Sequence, residues 1–519
     1  MIKGEFDPST NSSQELMKRV GLILVLLCGL GLTLWSVSSL SRELSFQTVG
    51  LFGVLFLMLA SSMLPIRWML VLLFFYLGFE GFFKIISGYH PVVHVGVDLY
   101  TGLILLKILI TTRSKDRLKK MPPFTGWIML HFLWFLIAFC NPYALSFVAS
   151  LAGMKMYVSM VLLFFLGYLY TEKASHVRAY FGPWVAVVAF QAVFSIYQSY
   201  LGESSVLSIH PGYRAPLEKF IGYAFRPFGF TAIAGGPAIF IFLVNGFLLY
   251  YLLASKKIFT QGFMLVLLTG AWVTLFLCQV RSAILKALVS SALFLFFYIK
   301  YYRSGSFART SSRVRSPFPL RLLPVAALVV IAMAFSFEWV TTSSNSDMVR
   351  AMDRSYSAFD YDSISSARKN TLDRLLTLMS KVPLGAGLSR TGAASGKFAT
   401  SIAEGTYFKE GFFTDNFWLA VLVDLGIPGM FLLTMIVLLI LVRGFRTIGN
   451  YRDPDLRMLH VTILCCLCSS VAGFYGAESI LYNPEAAFFW FFSGVMLKIP
   501  ELDRATFLQN IRQGEFHEL

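Results

Sequence analysis

Long apolar runs recur along the chain from about residue 20 to residue 498, and they limit what it can fold into. A backbone in lipid must satisfy its own hydrogen bonds, so each run of about 20 apolar residues predicts a membrane-spanning helix. Fourteen such windows fall near residues 19–39, 46–64, 68–87, 94–112, 124–140, 146–170, 178–200, 229–253, 260–279, 283–302, 322–337, 416–443, 457–475 and 484–498. The predicted fold is an all-α polytopic membrane protein with about fourteen spans, forming one integral membrane domain over residues 1–519.

The composition agrees with a chain that faces lipid. Of its 519 residues, 56% are hydrophobic and only 14% are charged, whereas soluble proteins carry roughly 25% charged residues. The net charge of +16 does not indicate nucleic acid, because the basic residues concentrate in short loops between spans, as the positive-inside rule describes. The six cysteines lack metal-ligand spacing. We therefore predict no nucleic-acid partner, no metal and no cofactor.

The basic loops also give an orientation. They follow the fourth, tenth and twelfth windows, at residues 113–120, 303–321 and 443–452. All three are even-numbered loops. The even-numbered loops are therefore predicted to be cytoplasmic, and so are both termini. The segment 303–321 is then a basic cytoplasmic loop. The segments 202–228 and 338–415 become a smaller and a large periplasmic loop of a bacterial inner-membrane protein, the large one partly helical and lying between spans 11 and 12.

Three arginines are predicted on or near the outer face, where the orientation rule does not require them: Arg226, Arg281 and Arg368. Each alone is also compatible with an interfacial arginine that reaches lipid headgroups. Arg368 shares helical spacing with the apolar residues of the segment 367–380, so it is expected to point toward the protein or the bilayer. A guanidinium in that position favours an anion and binds phosphate through two hydrogen bonds.

A further polar pair, Asp415 and Asn416, opens the twelfth window. Both residue types are good helix N-caps, which would be sufficient to explain them. The same window contains Gly-Ile-Pro-Gly at 426–429, which predicts a break between a short helix and the true span. Irregular backbone at membrane depth is tolerated mainly where it lines a cavity or is buried in protein, so Asp415 is expected beside an outward cavity.

The order of these motifs resembles the O-antigen ligase and Wzy-like polysaccharide polymerase superfamily, most strongly over residues 226–430. In chain order they are Arg-Pro-Phe-Gly at 226–229, Arg-Ser at 281–282, Ser-Ala-Arg at 366–368, Val-Pro-Leu-Gly-Ala-Gly at 382–387, Asp-Asn-Phe-Trp-Leu at 415–419 and Asp-Leu-Gly-Ile-Pro-Gly at 424–429. A weaker likeness, Gly-Met-Lys-Met-Tyr at 153–157, looks like the family's basic motif entering a span.

The resemblance implies a membrane-embedded glycosyltransferase of the GT-C type. No carboxylate pair or cluster with metal-ligand spacing stands out in the predicted outer loops, so we predict that it is independent of metal. Its donor would be a polyprenyl-pyrophosphate-linked glycan, such as an undecaprenyl-pyrophosphate repeat unit, and its acceptor a growing glycan outside the membrane. Arg281, Arg368 and Asp415 are the implied catalytic residues, with Asp415 as general base. The implied substrate-binding residues are Arg226, Asn416, Lys155 and Arg214. Polysaccharide export or chain-length proteins are candidate partners.

One departure from the family pattern bears on the acceptor. Ligases of the family carry a His-Asn pair where this chain has Asp415 and Asn416. The missing histidine favours a polymerase, for exopolysaccharide, capsule or O-antigen, over a ligase that transfers glycan to a lipid or protein acceptor.

Two other classes stay open. Fourteen spans are also expected of lipid-linked-oligosaccharide flippases and some exporters, although the unusual charges here gather around one large outer loop rather than between two similar halves. A non-catalytic scaffold for envelope assembly would need no charged site at all.

Overall fold

The computed structural model describes eleven segments of the chain. They are residues 60–88, 91–111, 121–144, 146–218, 225–255, 257–303, 376–377, 379–391, 416–474, 476 and 479–512. Arg368 and Asp415, the windows 19–39 and 322–337 and most of the window 46–64 lie outside the described residues, as does most of the loop 338–415.

The described residues form helices and no β-strand. The first long helices are α1 (Ile66–Ile86), α2 (Pro91–Thr111), α3 (Thr125–Phe139), α4 (Phe147–Tyr170) and α5 (Ala174–Leu201). Two short helices follow, α6 (Glu203–Ile209) and α7 (Arg214–Glu218). The remaining long helices are α8 (Pro237–Ala254), α9 (Ile258–Leu277), α10 (Arg281–Arg303), α11 (Phe417–Thr447), α12 (Pro454–Ala472) and α13 (Glu485–Arg512).

Eleven of the fourteen predicted windows coincide with these long helices. Eight helices in the described part are long and apolar enough to cross a membrane: α1, α4, α5, α8 to α12. The chain is therefore a multi-pass, all-helical membrane protein, and the count of fourteen spans stays a prediction. One boundary was predicted wrongly: the window 229–253 begins with irregular backbone, and its helix starts only at Pro237.

The connections between helices gather at two ends of the bundle. At the first, which we call the Arg281 end, Phe82 at the end of α1 donates its backbone N–H to Phe230 at 3.0 Å, and Phe417 donates to Phe474 at 3.0 Å. At the opposite end, Arg178 pairs with Asp455 and the Tyr250 hydroxyl donates to the same carboxylate at 2.6 Å. Successive connections between the long helices therefore alternate between the two ends, as expected for helices that cross a membrane in turn. Which end faces the cytoplasm stays a prediction.

A continuous apolar core joins the helices. Phe74 of α1, Trp184 of α5 and Phe491 of α13 are fully or almost fully buried and lie in one aromatic cluster. α8 is the most enclosed of the eight candidate spans in the described part of the chain, with 83% of its apolar window buried. A span covered on nearly all sides acts as a fixed reference for its neighbours, and α8 packs against α5, α9, α10 and α12.

Candidate functional site

The segment 225–236, which precedes α8, is held against α5 by two buried glutamines. The Gln198 side-chain oxygen accepts the backbone N–H groups of Phe228 at 2.8 Å and Gly229 at 2.7 Å. The Gln191 oxygen accepts that of Phe230 at 2.9 Å. Gly229 has φ of +53° and Gly235 has φ of +78°, a left-handed conformation that glycine adopts readily. These turns explain why the apolar window does not become helical before Pro237.

Replacing Gln198 with leucine is expected to weaken this segment strongly. Two buried backbone N–H groups would lose their acceptor, and each unsatisfied buried donor costs about 1–3 kcal/mol. We expect a clearly lower melting temperature in detergent and a parallel loss of activity. Ser204→Ala, at an exposed position on α6, is the matched control and should melt like the wild type. An unchanged melting temperature for Gln198→Leu would show that the glutamine does not hold the segment.

Arg226 lies within this segment and packs toward the turn that precedes Arg281. Its side chain is 9% exposed. A Cβ placed on Gly235 would lie 3.7 Å from Arg226 Cδ and 2.8 Å from the carbonyl oxygen of Cys278. The Gln279 side-chain nitrogen donates to the Phe225 carbonyl at 3.3 Å. The segments that carry Arg226 and Arg281 are therefore in direct contact, and Arg281 is half-buried at the first position of α10.

The start of α11 belongs to the same end of the bundle. Asn416 is 1% exposed and is the N-cap, because its side-chain oxygen accepts the Leu419 N–H at 3.1 Å. The Phe417 and Phe474 rings stack with centroids 4.0 Å apart. The preceding residue, Gly473, lies against Lys286 of α10 so closely that a Cβ there would be 1.6 Å from Lys286 Cε. Contacts thus run from α10, past Gly473 and Phe474, to Phe417, the second residue after Asp415.

The predicted break in α11 is confirmed at Gly426, where φ is +67° and ψ is −170°. The segment 382–391 docks against this break. The Ile427 N–H donates to the Pro383 carbonyl at 2.8 Å, and the Ala386 N–H donates to the Val423 carbonyl at 2.7 Å. The last described helical residues before this segment end at Lys381, as the Pro and Gly residues at 383, 385 and 387 predict. This segment of the predicted loop 338–415 is thereby fixed to the helix bundle.

A buried carboxylate next to the break was not assigned a role from the sequence. Asp424 is fully buried. It accepts the Tyr157 hydroxyl at 3.1 Å and both the N–H and the hydroxyl of Thr391 at 3.1 Å. These bonds satisfy an acceptor that would otherwise be costly in the interior. They connect α4, α11 and the segment 382–391. In the sequence, Asp424 stood only as the first residue of the motif at 424–429, with no role assigned to it.

Arg390, in the same segment, is a further cation at the Arg281 end that sequence reasoning did not single out. Its Nε donates to the Tyr143 carbonyl at 2.9 Å. Burial lowers the pKa of this guanidinium below its ordinary value, and the nearby Asp424 carboxylate partly offsets that effect. The guanidinium therefore fastens the segment to the turn between α3 and α4.

The two remaining predicted substrate contacts lie elsewhere at this end. Lys155 of α4 forms an ion pair with Asp98 of α2, with Nζ 3.0 Å from Oδ2. Arg214 is exposed on α7, within the cap of short helices that packs through Val206 and Tyr213 on α1. The described residues contain no group of three His, Cys, Asp or Glu side chains placed to hold a metal ion.

A search of curated proteins finds no significant match to the chain. Residues 263–434, from α9 through the first half of α11, match the family model described as O-antigen ligase. This stretch contains Arg281, the segment 382–391 and the break at Gly426. The match confirms the resemblance of the chain to the O-antigen ligase and Wzy-like superfamily.

Proposed function

We propose that the protein transfers a glycan from a polyprenyl-pyrophosphate carrier to an acceptor sugar hydroxyl at the Arg281 end of the bundle, on the outer face of the bacterial inner membrane. The family match supports a ligase- or polymerase-type role in glycan assembly and a lipid-linked glycan substrate. The observation that carries the proposal is the direct contact between the segments of Arg226 and Arg281. Two guanidiniums held at one end of a membrane protein form a site for a dianionic headgroup.

The chemistry follows from these charges. The sugar–phosphate bond breaks as the acceptor oxygen attacks the anomeric carbon, and negative charge develops on the leaving diphosphate. Arg226 and Arg281 stabilise that charge, because fixed cations act most strongly where water is excluded. Arg368 supplies a third guanidinium from the large loop. Asp415 removes the acceptor hydroxyl proton, and Asn416 orders the start of α11 next to it.

Among the two acceptor classes, we propose a polymerase. Asp415 stands where ligases of the family carry histidine, so the acceptor is a growing glycan of the same repeat unit rather than a lipopolysaccharide core. A ligase is the alternative.

Reconstitution in liposomes tests the proposal. The purified protein is mixed with a polyprenyl-pyrophosphate repeat unit, and the products are separated by gel electrophoresis and mass. Products of several repeat units from the donor alone support a polymerase, whereas transfer only after a separate acceptor is added supports a ligase. If glycan crosses the bilayer and no new glycosidic linkage forms, the result would contradict the proposed glycosyltransferase activity and support a transporter.

Replacing Asp415 with asparagine is expected to lower kcat about a hundredfold, because a positioned general base contributes on that order, while the affinity for the donor is kept. Single-turnover transfer and donor binding are measured side by side. Asp455→Asn, at the opposite end, removes the same charge and serves as the control. Equal kcat values for Asp415→Asn and the wild type would remove Asp415 from the mechanism.

A further inference from the structure

A buried ion pair lies between α10 and α13. Lys286 Nζ is 2.9 Å from both carboxylate oxygens of Glu485. Lys286 is 2% exposed and Glu485 is 4% exposed. The same ammonium lies 4.5 Å from the centroid of the Phe242 ring on α8. The pair therefore joins α10 and α13 against the most enclosed span of the bundle.

Such a pair is not explained by stability. The desolvation of two charges commonly cancels their attraction, so apolar residues of similar size would hold these helices at least as well. Ionisable residues within membrane spans are rare and are usually associated with function. Gly473 leaves the space that the lysine occupies, since a Cβ there would overlap Lys286 Cε.

The position of the pair relates it to the proposed site. Lys286 is five residues after Arg281 on α10, a rise of about 7.5 Å. Gly473 contacts Lys286, and the next residue, Phe474, accepts the Phe417 N–H and stacks on the Phe417 ring. Asn416 and Asp415 immediately precede Phe417. The ion pair thus stands between the helix that begins with a donor-binding arginine and the residues that seat the proposed base.

We propose that Lys286 and Glu485 form a positioning pair that fixes Arg281 relative to the start of α11, so that the donor diphosphate and the acceptor hydroxyl meet in register. This inference rests on the proposed function. Neither side chain is a catalytic residue, because both are buried and bonded to each other. A directed pair of hydrogen bonds sets the separation of two helices more sharply than apolar contact does, and a displacement of about 1 Å costs a transfer reaction on the order of a hundredfold in rate.

Three variants test the pair: Lys286→Met, Glu485→Gln and the double variant Lys286→Met/Glu485→Gln. Each is purified, reconstituted with the polyprenyl-pyrophosphate donor, and assayed for melting temperature, kcat and donor KM. Each single variant leaves one charge buried without its partner, so we expect a lower melting temperature. We also expect a loss of about a hundredfold in kcat with donor KM kept within about threefold, since Arg226 and Arg281 still bind the diphosphate.

The double variant separates positioning from folding. It buries no lone charge, so its melting temperature should return toward the wild type while kcat stays low. The control is Arg178→Met/Asp455→Asn, which removes an ion pair from the opposite end of the bundle and should leave kcat unchanged. If the double variant regains full kcat together with its stability, the pair is only a packing element and the inference fails. If instead the wild type itself forms no glycan linkage, the proposed function fails first.

Discussion

Replacing Arg281 with alanine is expected to lower the rate of glycan transfer about 10²–10³-fold, the range found when one fixed charge-stabilising donor is removed from an active site. Arg281 opens α10 beside the segment of Arg226, so the variant loses one of the two cations that these contacting segments carry and that we propose for the leaving diphosphate. Because the charge on the diphosphate is greater in the transition state than in the bound donor, kcat should fall more than donor affinity. Single-turnover transfer in liposomes measures the loss.

Two companion variants sharpen this result. Arg281→Lys keeps the charge but loses the planar guanidinium that binds two phosphate oxygens. Its rate of glycan transfer should therefore lie between those of the wild type and Arg281→Ala. Arg446→Ala removes an exposed arginine from the last turn of α11 at the opposite end and should transfer at the normal rate. If Arg281→Ala transfers glycan at the normal rate, Arg281 does not take part in transfer, and the contact between the Arg226 segment and the turn before α10 has only a structural role.

The fold could largely be predicted because lipid requires a spanning segment to be apolar and to satisfy its own backbone hydrogen bonds. Apolar windows located eleven of the described helices, and the Gly-Ile-Pro-Gly stretch located the break in α11 at Gly426. The beginning of α8 was predicted wrongly, because the segment 229–236 is apolar and hydropathy gives no information about its backbone conformation. There Gln191 and Gln198, from a different span, supply the hydrogen bonds that a helix would otherwise provide.

The site was predictable only in part, for a related reason. Arg226 and Arg281 could be singled out in the sequence because they interrupt the charge pattern expected of the predicted outer face, and their role stays a prediction. The Lys286–Glu485 pair joins residues 199 positions apart, and Tyr157 and Asp424 are 267 positions apart. Each partner alone reads as an isolated polar residue in or beside an apolar window, and only the packing of distant helices shows that they satisfy one another.

Replacing Gly426 with alanine is expected to prevent stable folding of the site. The residue has φ of +67° and ψ of −170°, a conformation that only glycine adopts at low cost and that costs other residues about 1–3 kcal/mol. An added Cβ would also lie 2.3 Å from the Leu384 carbonyl carbon and 2.5 Å from the Gly385 nitrogen. Backbone on both sides cannot yield as a flexible side chain would. We expect the free energy of unfolding to fall by about 3 kcal/mol or more. This would be seen as a lower melting temperature and little protein in the membrane fraction.

The consequence for function follows from what docks at this break. Displacing the segment 382–391 separates Thr391 from Asp424 and releases the docked part of the predicted large loop that carries Arg368. Transfer should therefore be lost even in the fraction of Gly426→Ala that reaches the membrane. Gly270→Ala is the matched control, because that glycine lies within α9 with no heavy atom near the added Cβ, and alanine favours a helix by about 0.5–1 kcal/mol. A Gly426→Ala protein that melts and transfers like Gly270→Ala would show that the break in α11 does not anchor the loop.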